Sequence, residues 1–143
     1  MKRKDFIKSS AALTCLFCAG ATSALLESCS PKSLPVLTLE KNQDAFSLPI
    51  TAWDGGDVVM VARKGAPGIL IHKNGEKYTA LPMKCTHQGA RLKWENNTLV
   101  CGLHGSIFQT DGSVTKGPAK QALIPFQVQT KDGIVNVTLQ AKS

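Results

Sequence analysis

The chain has 143 residues, of which 43% are hydrophobic and 19% charged, enough for one globular domain with a modest core. The formal net charge is +7, of which +3 lies in the first eight residues, and the other charges are scattered without a basic run or interleaved aromatic residues. This distribution argues against a nucleic-acid site.

Residues 1–29 have the pattern of an export signal, which is not part of the folded domain. A basic start is followed by residues 9–26, which contain no charged side chain. The start, residues 2–8, resembles a twin-arginine signal in which Lys4 replaces the second arginine. Residues 30–35 then form a tether. The sequence therefore predicts an exported protein on the periplasmic side of a bacterial membrane.

The end of this segment predicts how the protein is held at the membrane. Residues 26–29 are similar to a bacterial lipoprotein cleavage box, in which Cys29 becomes the lipidated first residue, although Glu27 is unusual there. Acyl chains on Cys29 would tie the domain to a membrane surface without a protein span. The alternative is an uncleaved N-terminal anchor, because the 18 residues without charge are just long enough to cross a bilayer.

From Val36 onward the sequence shows short β signals separated by turns, and no helical period. Asn74-Gly75 is a strong two-residue hairpin signal, and residues 95–97 and 131–133 are further turns. These signals predict an all-β domain over residues 36–143, an antiparallel sandwich or barrel. The predicted strands are Val36–Glu40, Val58–Arg63, Ile69–His72, Lys77–Leu81, Arg91–Trp94, Thr98–Val100, Ala122–Gln129 and Ile134–Gln140.

Two segments, residues 84–90 and 101–106, interrupt the strand pattern and each contains one cysteine and one histidine. They are Cys85 with His87, and Cys101 with His104. The residues between the segments are predicted to form a compact hairpin, which would bring them side by side at one end of the sheet. Two thiolates and two imidazoles would then meet in one place.

Three interpretations of this group compete. A disulfide between Cys85 and Cys101 is the usual role of two cysteines in an exported domain, but it leaves both histidines unexplained. A zinc site of the Cys₂His₂ type is chemically sensible, although one residue between Cys85 and His87 is tighter than zinc spacing usually is. Two cysteines and two histidines are also the ligands of a Rieske [2Fe–2S] cluster.

The two segments resemble the signature of the Rieske iron–sulfur proteins, C-x-H-x-G followed by C-x-x-H-G-S. Residues 85–89 read Cys-Thr-His-Gln-Gly, residues 101–106 read Cys-Gly-Leu-His-Gly-Ser, and 13 residues separate His87 from Cys101. Downstream, Phe108, residues 111–112 and residues 116–119 look like the family's later pattern, which includes a proline loop. The chain is therefore identified as a member of this family.

The resemblance implies one [2Fe–2S] cluster per chain, bound in a small subdomain whose loops span about residues 84–119. It implies that Cys85 and Cys101 bind the inner iron and that His87 and His104 bind the outer iron near the surface. Supporting roles fall to the residues around these ligands: Gly89, Gly105, Ser106 and Pro118.

The chain departs from the quinol-oxidising type of Rieske protein at three positions. Ala90 and Leu103 stand where that type has two further cysteines joined in a disulfide. Phe108 stands where high-potential relatives often have a tyrosine that donates a hydrogen bond to a cysteine sulfur. Loss of that donor predicts a lower reduction potential than in cytochrome bc complexes.

The sequence thus predicts one-electron transfer by a membrane-tethered carrier or by a subunit of an oxidoreductase complex, with no catalytic site of its own. Its partner would be a cytochrome, a quinol or an oxidoreductase complex. The alternatives are a Rieske subunit of a cytochrome bc-type complex with an uncleaved anchor, or a zinc-binding module without redox activity. An oxygenase is disfavoured, because the chain has no second set of iron ligands.

Overall fold

The structure is a computed structural model that describes residues 36–40 and 43–141. The export signal, Cys29 and the tether lie outside the described residues. Among those described, no helix is long and apolar enough to cross a membrane. The elements are β1 (Val36–Leu39), β2 (Ala45–Pro49), a 3-10 turn (Ile50–Trp53), β3 (Val58–Arg63), β4 (Ala66–Asn74), β5 (Lys77–Pro82), β6 (Leu92–Glu95), β7 (Thr98–Cys101), β8 (Ile107–Phe108), β9 (Val114–Lys116), β10 (Phe126–Lys131) and β11 (Ile134–Ala141).

The described strands form two sheets, which confirms the predicted all-β class. Seven strands are ordered β1-β3-β4-β5-β10-β11-β2, and four strands are ordered β6-β7-β8-β9. All neighbours pair antiparallel except β1, which runs parallel to β3 at the edge of the larger sheet. The smaller sheet contains the segment between residues 91 and 117, where the sequence predicts the cluster-binding subdomain.

Strands β3, β4 and β5 are covered on both faces, because two hydrophobic cores lie on either side of them. Ile69 and Ile71 in β4 face a core formed with β11 and β2, whereas Leu70 faces a second core that includes the smaller sheet. All three side chains are fully buried. An uninterrupted apolar run is what a strand with two buried faces requires. The second core therefore joins the smaller sheet to the larger one.

Turns at all three predicted places connect antiparallel neighbours, but the first is shifted by one residue from its prediction: Asn74 pairs with Lys77 at the end of β4, so the central residues are Gly75 and Glu76. Gly75 between β4 and β5 has φ +61°, and Gly133 between β10 and β11 has φ +73°. Asn96 and Asn97 between β6 and β7 have φ values of +48° and +58°, the left-handed conformation that asparagine tolerates best among residues with a side chain. Each turn fixes the register of the two strands that it joins.

The predicted strand list was incomplete at four places. Strands β2, β8 and β9 were missed. β8 and β9 have only two and three residues, whereas β2 was missed although its residues alternate between exposed and buried. The predicted strand Ala122–Gln129 was wrong at its start: β10 begins at Phe126, and the residues before it run as irregular chain over the smaller sheet. Pro125 has no N–H to give to a sheet ladder, which favours this later start.

Candidate metal centre

The two predicted ligand segments form loops of the same construction. Loop 1 is residues 85–90, and loop 2 is residues 101–106. In loop 1 the Cys85 N–H donates to the Ala90 carbonyl at 2.8 Å, and the Gly89 N–H donates to the Cys85 carbonyl at 2.9 Å. In loop 2 the Cys101 N–H donates to the Ser106 carbonyl at 2.8 Å, and the Gly105 N–H donates to the Cys101 carbonyl at 2.9 Å. Each loop is thus closed on its own cysteine.

A glycine in the left-handed region makes each of these loops possible. Gly89 has φ +73° and Gly105 has φ +75°. Residues with a Cβ adopt this conformation at a cost of about 1–2 kcal/mol. The two glycines predicted to support the site therefore have a backbone role in it, which is to let each loop turn back over its cysteine.

The hairpin of β6 and β7 places the two loops side by side, as the sequence predicts. Leu92 pairs with Cys101 in the strand register, and Lys84 and Arg91 form an antiparallel bridge at the base of loop 1. Cys85 is 2% exposed and Cys101 1% exposed, and both are free thiols rather than a disulfide. Both cysteines lie in the same buried core cluster, and the Cys85 thiol helps to lower the pKa of Cys101. The buried floor of the site is therefore a pair of adjacent sulfur atoms.

The environment of Cys101 favours its thiolate. Burial alone raises the pKa of this thiol, but hydrogen bonds from the backbone N–H groups of His104 and Leu103, together with the Cys85 thiol, lower it below its ordinary value. The thiolate is the form of cysteine that binds metals. Loop 2 therefore prepares one sulfur as a ligand through its own backbone.

The two histidines lie together above the sulfur pair and are open to solvent. The ring centroids of His87 and His104 are 4.9 Å apart, and the ring planes meet at 84°. Two imidazoles bound at about 2.1 Å to one tetrahedral metal would have centroids about 5 Å apart. Both side chains are exposed, in contrast to the buried cysteines. The site therefore has a thiol pair at its floor and an imidazole pair at its mouth.

This arrangement suits two metal ions better than one. Thiol lies against thiol and imidazole against imidazole, so each pair supplies two ligands to one position. The donor set and its pairing fit a [2Fe–2S] cluster with sulfur ligands inside and nitrogen ligands outside. The assignment of the four ligands stays a prediction.

A third segment crosses both loops and holds them in place. We call residues 117–123 the strap. The Thr86 Oγ1 in loop 1 donates to the Gln121 carbonyl at 2.7 Å, and the Ala119 N–H donates to the buried Ser106 Oγ in loop 2 at 3.0 Å. Pro118 is exposed and directly precedes Ala119 in the strap. Ala90 and Leu103 cannot form a disulfide between the two loops. Hydrogen bonds from each loop to the strap link the loops instead.

Thr86→Val is expected to weaken this connection. Valine has the shape of threonine but cannot donate to Gln121, so the free energy of unfolding should fall by about 0.5–1 kcal/mol and loss of iron to a chelator should be faster. Chemical denaturation and chelator challenge of the purified protein measure the two effects. Thr98→Val is the matched control, because Thr98 Oγ1 donates only to the Glu95 carbonyl within one turn. Equal chelator sensitivity in the two variants would contradict a role for the strap.

Sequence reasoning missed the strap contacts of Thr86, Ala119 and Gln121. Pro118 was included only through the resemblance, and the strap was partly mistaken for the start of a strand. No pattern in the sequence marks a hydrogen bond between a side chain and a carbonyl 35 residues away. The one available signal was Pro125, which indicates that the residues before it are not in the sheet.

Comparison with known proteins identifies the family. The family model described as "Rieske [2Fe-2S] domain" matches residues 48–131, which is more than half of the chain. The "Cytochrome b6-f complex iron-sulfur subunit" of Prochlorococcus marinus (strain AS9601) is 33% identical over 106 residues, covering 66% of this chain and 60% of that protein. The chain therefore spans about three fifths of the length of the relative it matches.

Solved structures show the same fold. The plasma membrane Rieske protein PetC3 from Synechocystis PCC 6803 has a TM-score of 0.54 and 23% identity, covering 63% of this chain and 94% of that one. The complex of oxygenase and ferredoxin in carbazole 1,9a-dioxygenase gives a TM-score of 0.55 at 25% identity, covering 71% of this chain and 99% of that one. Together with the loop geometry and the family match, these likenesses lead to one conclusion: the chain belongs to the Rieske [2Fe–2S] domain family, whose members bind a [2Fe–2S] cluster.

Proposed function

We propose that this protein passes single electrons on the periplasmic side of a bacterial membrane, through a cluster held by Cys85, His87, Cys101 and His104. The observation that carries the proposal is the layered site, with a buried thiol pair beneath an exposed imidazole pair. A centre built this way is shielded from water on the side of the cysteines and open to solvent on the side of the histidines. Electrons therefore enter and leave on the side of the histidines.

The chain's own residues set the properties of this site. When bound, the [2Fe–2S] cluster supplies a one-electron redox couple. The N–H groups of Leu103 and His104 stabilise negative charge on the Cys101 sulfur. Phe108 and Leu99 are fully buried and pack in the core that contains both cysteines, which keeps water from the floor of the site. The exposed imidazoles provide the short path to a partner.

Export and tethering rest on the N-terminal residues. The basic start and the residues without charge that follow it support export, and the cleavage box at residues 26–29 supports a lipid anchor on Cys29. A twin-arginine route has a physical reason, because that route moves proteins already folded and so carries a cluster inserted in the cytoplasm. The tether at residues 30–35 would then leave the domain free to reach a partner.

Fractionation of a bacterium expressing the full chain tests the tethering. The wild-type protein should be found in the membrane fraction and carry acyl chains on Cys29 by mass spectrometry. Cys29→Ser should lose the acyl chains and leave the membrane fraction, whereas Cys18→Ser should stay with the membrane. Membrane retention of Cys29→Ser at wild-type level would indicate an uncleaved anchor instead, and wild-type protein in the cytoplasm would contradict export.

Ser106→Ala is expected to lower the reduction potential. The Ser106 hydroxyl is fully buried and accepts from the Ala119 N–H, so its own proton is left to donate to the electron-rich cluster. Loss of a hydrogen bond that stabilises the reduced state by about 1.4 kcal/mol should lower the one-electron reduction potential by about 60 mV. Protein-film voltammetry measures the change. An unchanged potential would show that the hydroxyl does not act on the cluster.

Phe108→Tyr is expected to raise the potential. Phe108 lies in the core cluster with Cys85 and Cys101, where a phenol hydroxyl would be a new donor close to the sulfur atoms. The wild-type potential should accordingly lie below that of quinol-oxidising Rieske proteins. Voltammetry of both forms tests this, with Phe46→Tyr in the other core as the control for burying a hydroxyl. A wild-type potential equal to the quinol-oxidising type would contradict the account.

A subunit of a cytochrome bc-type or b6-f-type complex is the second candidate. The name of the Prochlorococcus relative favours it. The absence of the loop cysteines at positions 90 and 103 argues against it, since the quinol-oxidising type has a disulfide there. Co-purification of the full chain from solubilised membranes distinguishes the two, because a complex subunit would carry cytochrome haem with it.

A further inference from the structure

Charge is unequally distributed over the described residues. The segment from Pro82 to Pro125, which contains both loops and the strap, has five cationic side chains and two carboxylates. The other described residues have five cationic side chains and six carboxylates. The part of the molecule that bears the loops is therefore positive. The seven-stranded sheet, which we call the supporting sheet, is close to neutral.

The five cationic side chains of this segment lie next to the loops. Lys84 and Arg91 form the bridge at the base of loop 1. Lys93 pairs with Val100, directly before loop 2, and its Cε is 4.0 Å from where a Cβ at Gly102 would lie. All five are exposed, and we call them the basic rim: Lys84, Arg91, Lys93, Lys116 and Lys120.

The other two cations of the basic rim also lie near the loops, whereas the two carboxylates of the segment do not. Lys116 pairs with Ile107 immediately after loop 2, and Lys120 follows the strap residue that bonds to Ser106. Glu95 pairs with Thr98 at the end of the β6–β7 hairpin that is farthest from loop 2, and Asp111 lies in the turn at the far end of β8. The carboxylates are thus placed away from the mouth of the site.

Apolar side chains are exposed inside the basic rim. Leu103 in loop 2 is 71% exposed, and Ile124, next to the strap, is 57% exposed. Ile124 lines a shallow cleft together with Lys84 and His87. An exposed leucine and isoleucine beside the electron exit, in a segment that carries five cationic side chains, match the composition of a docking surface with an apolar centre and a polar margin.

We propose that the mouth of the site docks an electron-transfer protein that has an acidic surface around its own redox centre. This inference rests on the proposed function and adds the charge of the partner. Opposite charges around the contact accelerate encounter and orient it, while the small apolar centre permits rapid separation. An anionic membrane surface would attract the same cations, but it accepts no electron, and burial of the imidazoles against lipid would close the exit.

Stopped-flow oxidation of the reduced full-length protein tests the charge of the mouth. The probes are hexacyanoferrate(III), a trianion, and tris(phenanthroline)cobalt(III), a trication. The rate with the anion should fall as ionic strength rises, and the rate with the cation should rise. Lys93→Gln/Lys120→Gln should slow the anionic oxidant about fivefold at low ionic strength and speed up the cationic one.

The matched control makes the same change in net charge on the supporting sheet. Lys77→Gln/Lys131→Gln removes two exposed cations, one at the start of β5 and one at the end of β10, away from the loops. This double variant should leave both rates nearly unchanged. Equal effects of the two double variants, or rates insensitive to salt, would overturn the proposal. Loss of binding to phosphatidylglycerol vesicles only in Lys93→Gln/Lys120→Gln would assign the rim to a membrane instead. A protein without an iron signal would contradict the proposed function itself, before any rate is measured.

Discussion

Replacing Cys101 with serine is expected to abolish cluster binding while the β fold is retained. Serine has nearly the volume of cysteine, but its hydroxyl is not deprotonated at neutral pH and is a poor ligand for iron. Even partners outside the ligand set change metal affinity by about 10–100-fold, so loss of a ligand should exceed that. Iron per chain and the visible absorption of the purified protein measure the effect, and circular dichroism reports the fold.

Cys29→Ser is the control for the same chemical change outside the folded domain. It should keep the iron content of the wild-type protein. Cys85→Ser should match Cys101→Ser, because both thiols form the buried floor of the site. Retention of the full iron content by either of these two variants would exclude that cysteine as a ligand.

Gly112→Ala is expected to destabilise the folded protein strongly. Gly112 has φ +92°, and a Cβ there would lie 2.5 Å from the Leu123 carbonyl oxygen and 3.2 Å from a Leu81 methyl group. The Gly112 carbonyl also accepts from the Leu123 N–H at 2.8 Å, so the strap cannot move away without losing this bond. Backbone strain and overpacking together should destabilise the protein by about 4 kcal/mol.

Gly75→Ala separates the two causes, because Gly75 has φ +61° and nothing within 4 Å of an added Cβ. Gly75→Ala should lower the free energy of unfolding by about 1–2 kcal/mol, through backbone strain alone. Urea denaturation of the wild-type protein and the two variants gives their free energies of unfolding. Similar losses for the two variants would show that the strap does not pack tightly against Gly112.

The turn that contains Gly112 is fixed by its own polar side chains. Asp111 Oδ1 accepts from the Ser113 hydroxyl at 2.6 Å and from the Ser113 N–H at 2.8 Å. These bonds stabilise the ionised carboxylate and hold the pKa of Asp111 below its ordinary value. These bonds lie within the turn and do not involve the strap, and the turn that they fix supports Leu123 in the second core.

Sequence patterns predicted the parts of the fold that depend on local chemistry. Asn74-Gly75 correctly predicts a hairpin between β4 and β5, although the turn uses Gly75 and Glu76 as its central residues. The apolar residues Ile69–Ile71 lie in the strand predicted there, β4. The spacing of Cys85, His87, Cys101 and His104 likewise predicted two neighbouring loops, because the short hairpin between them leaves little freedom of placement.

Contacts between distant segments could not be predicted in this way. The parallel pairing of β1 with β3 depends on how a chain end meets an edge strand, and the bond from Thr86 to Gln121 depends on the path of the strap. The charge polarity around the loops also becomes visible only when Lys93, Lys116 and Lys120 are placed on the folded chain. Such features follow from tertiary geometry rather than from any periodic pattern.

Pulsed EPR of the chemically reduced full-length protein tests the central claim most directly, because it detects both the cluster and the nature of its ligands. We expect a signal from one unpaired electron per chain, with nitrogen couplings from two imidazoles. Replacement of His104 should remove the signal or one of these couplings. A colourless protein that contains zinc, or an iron–sulfur signal without nitrogen coupling, would contradict the central claim.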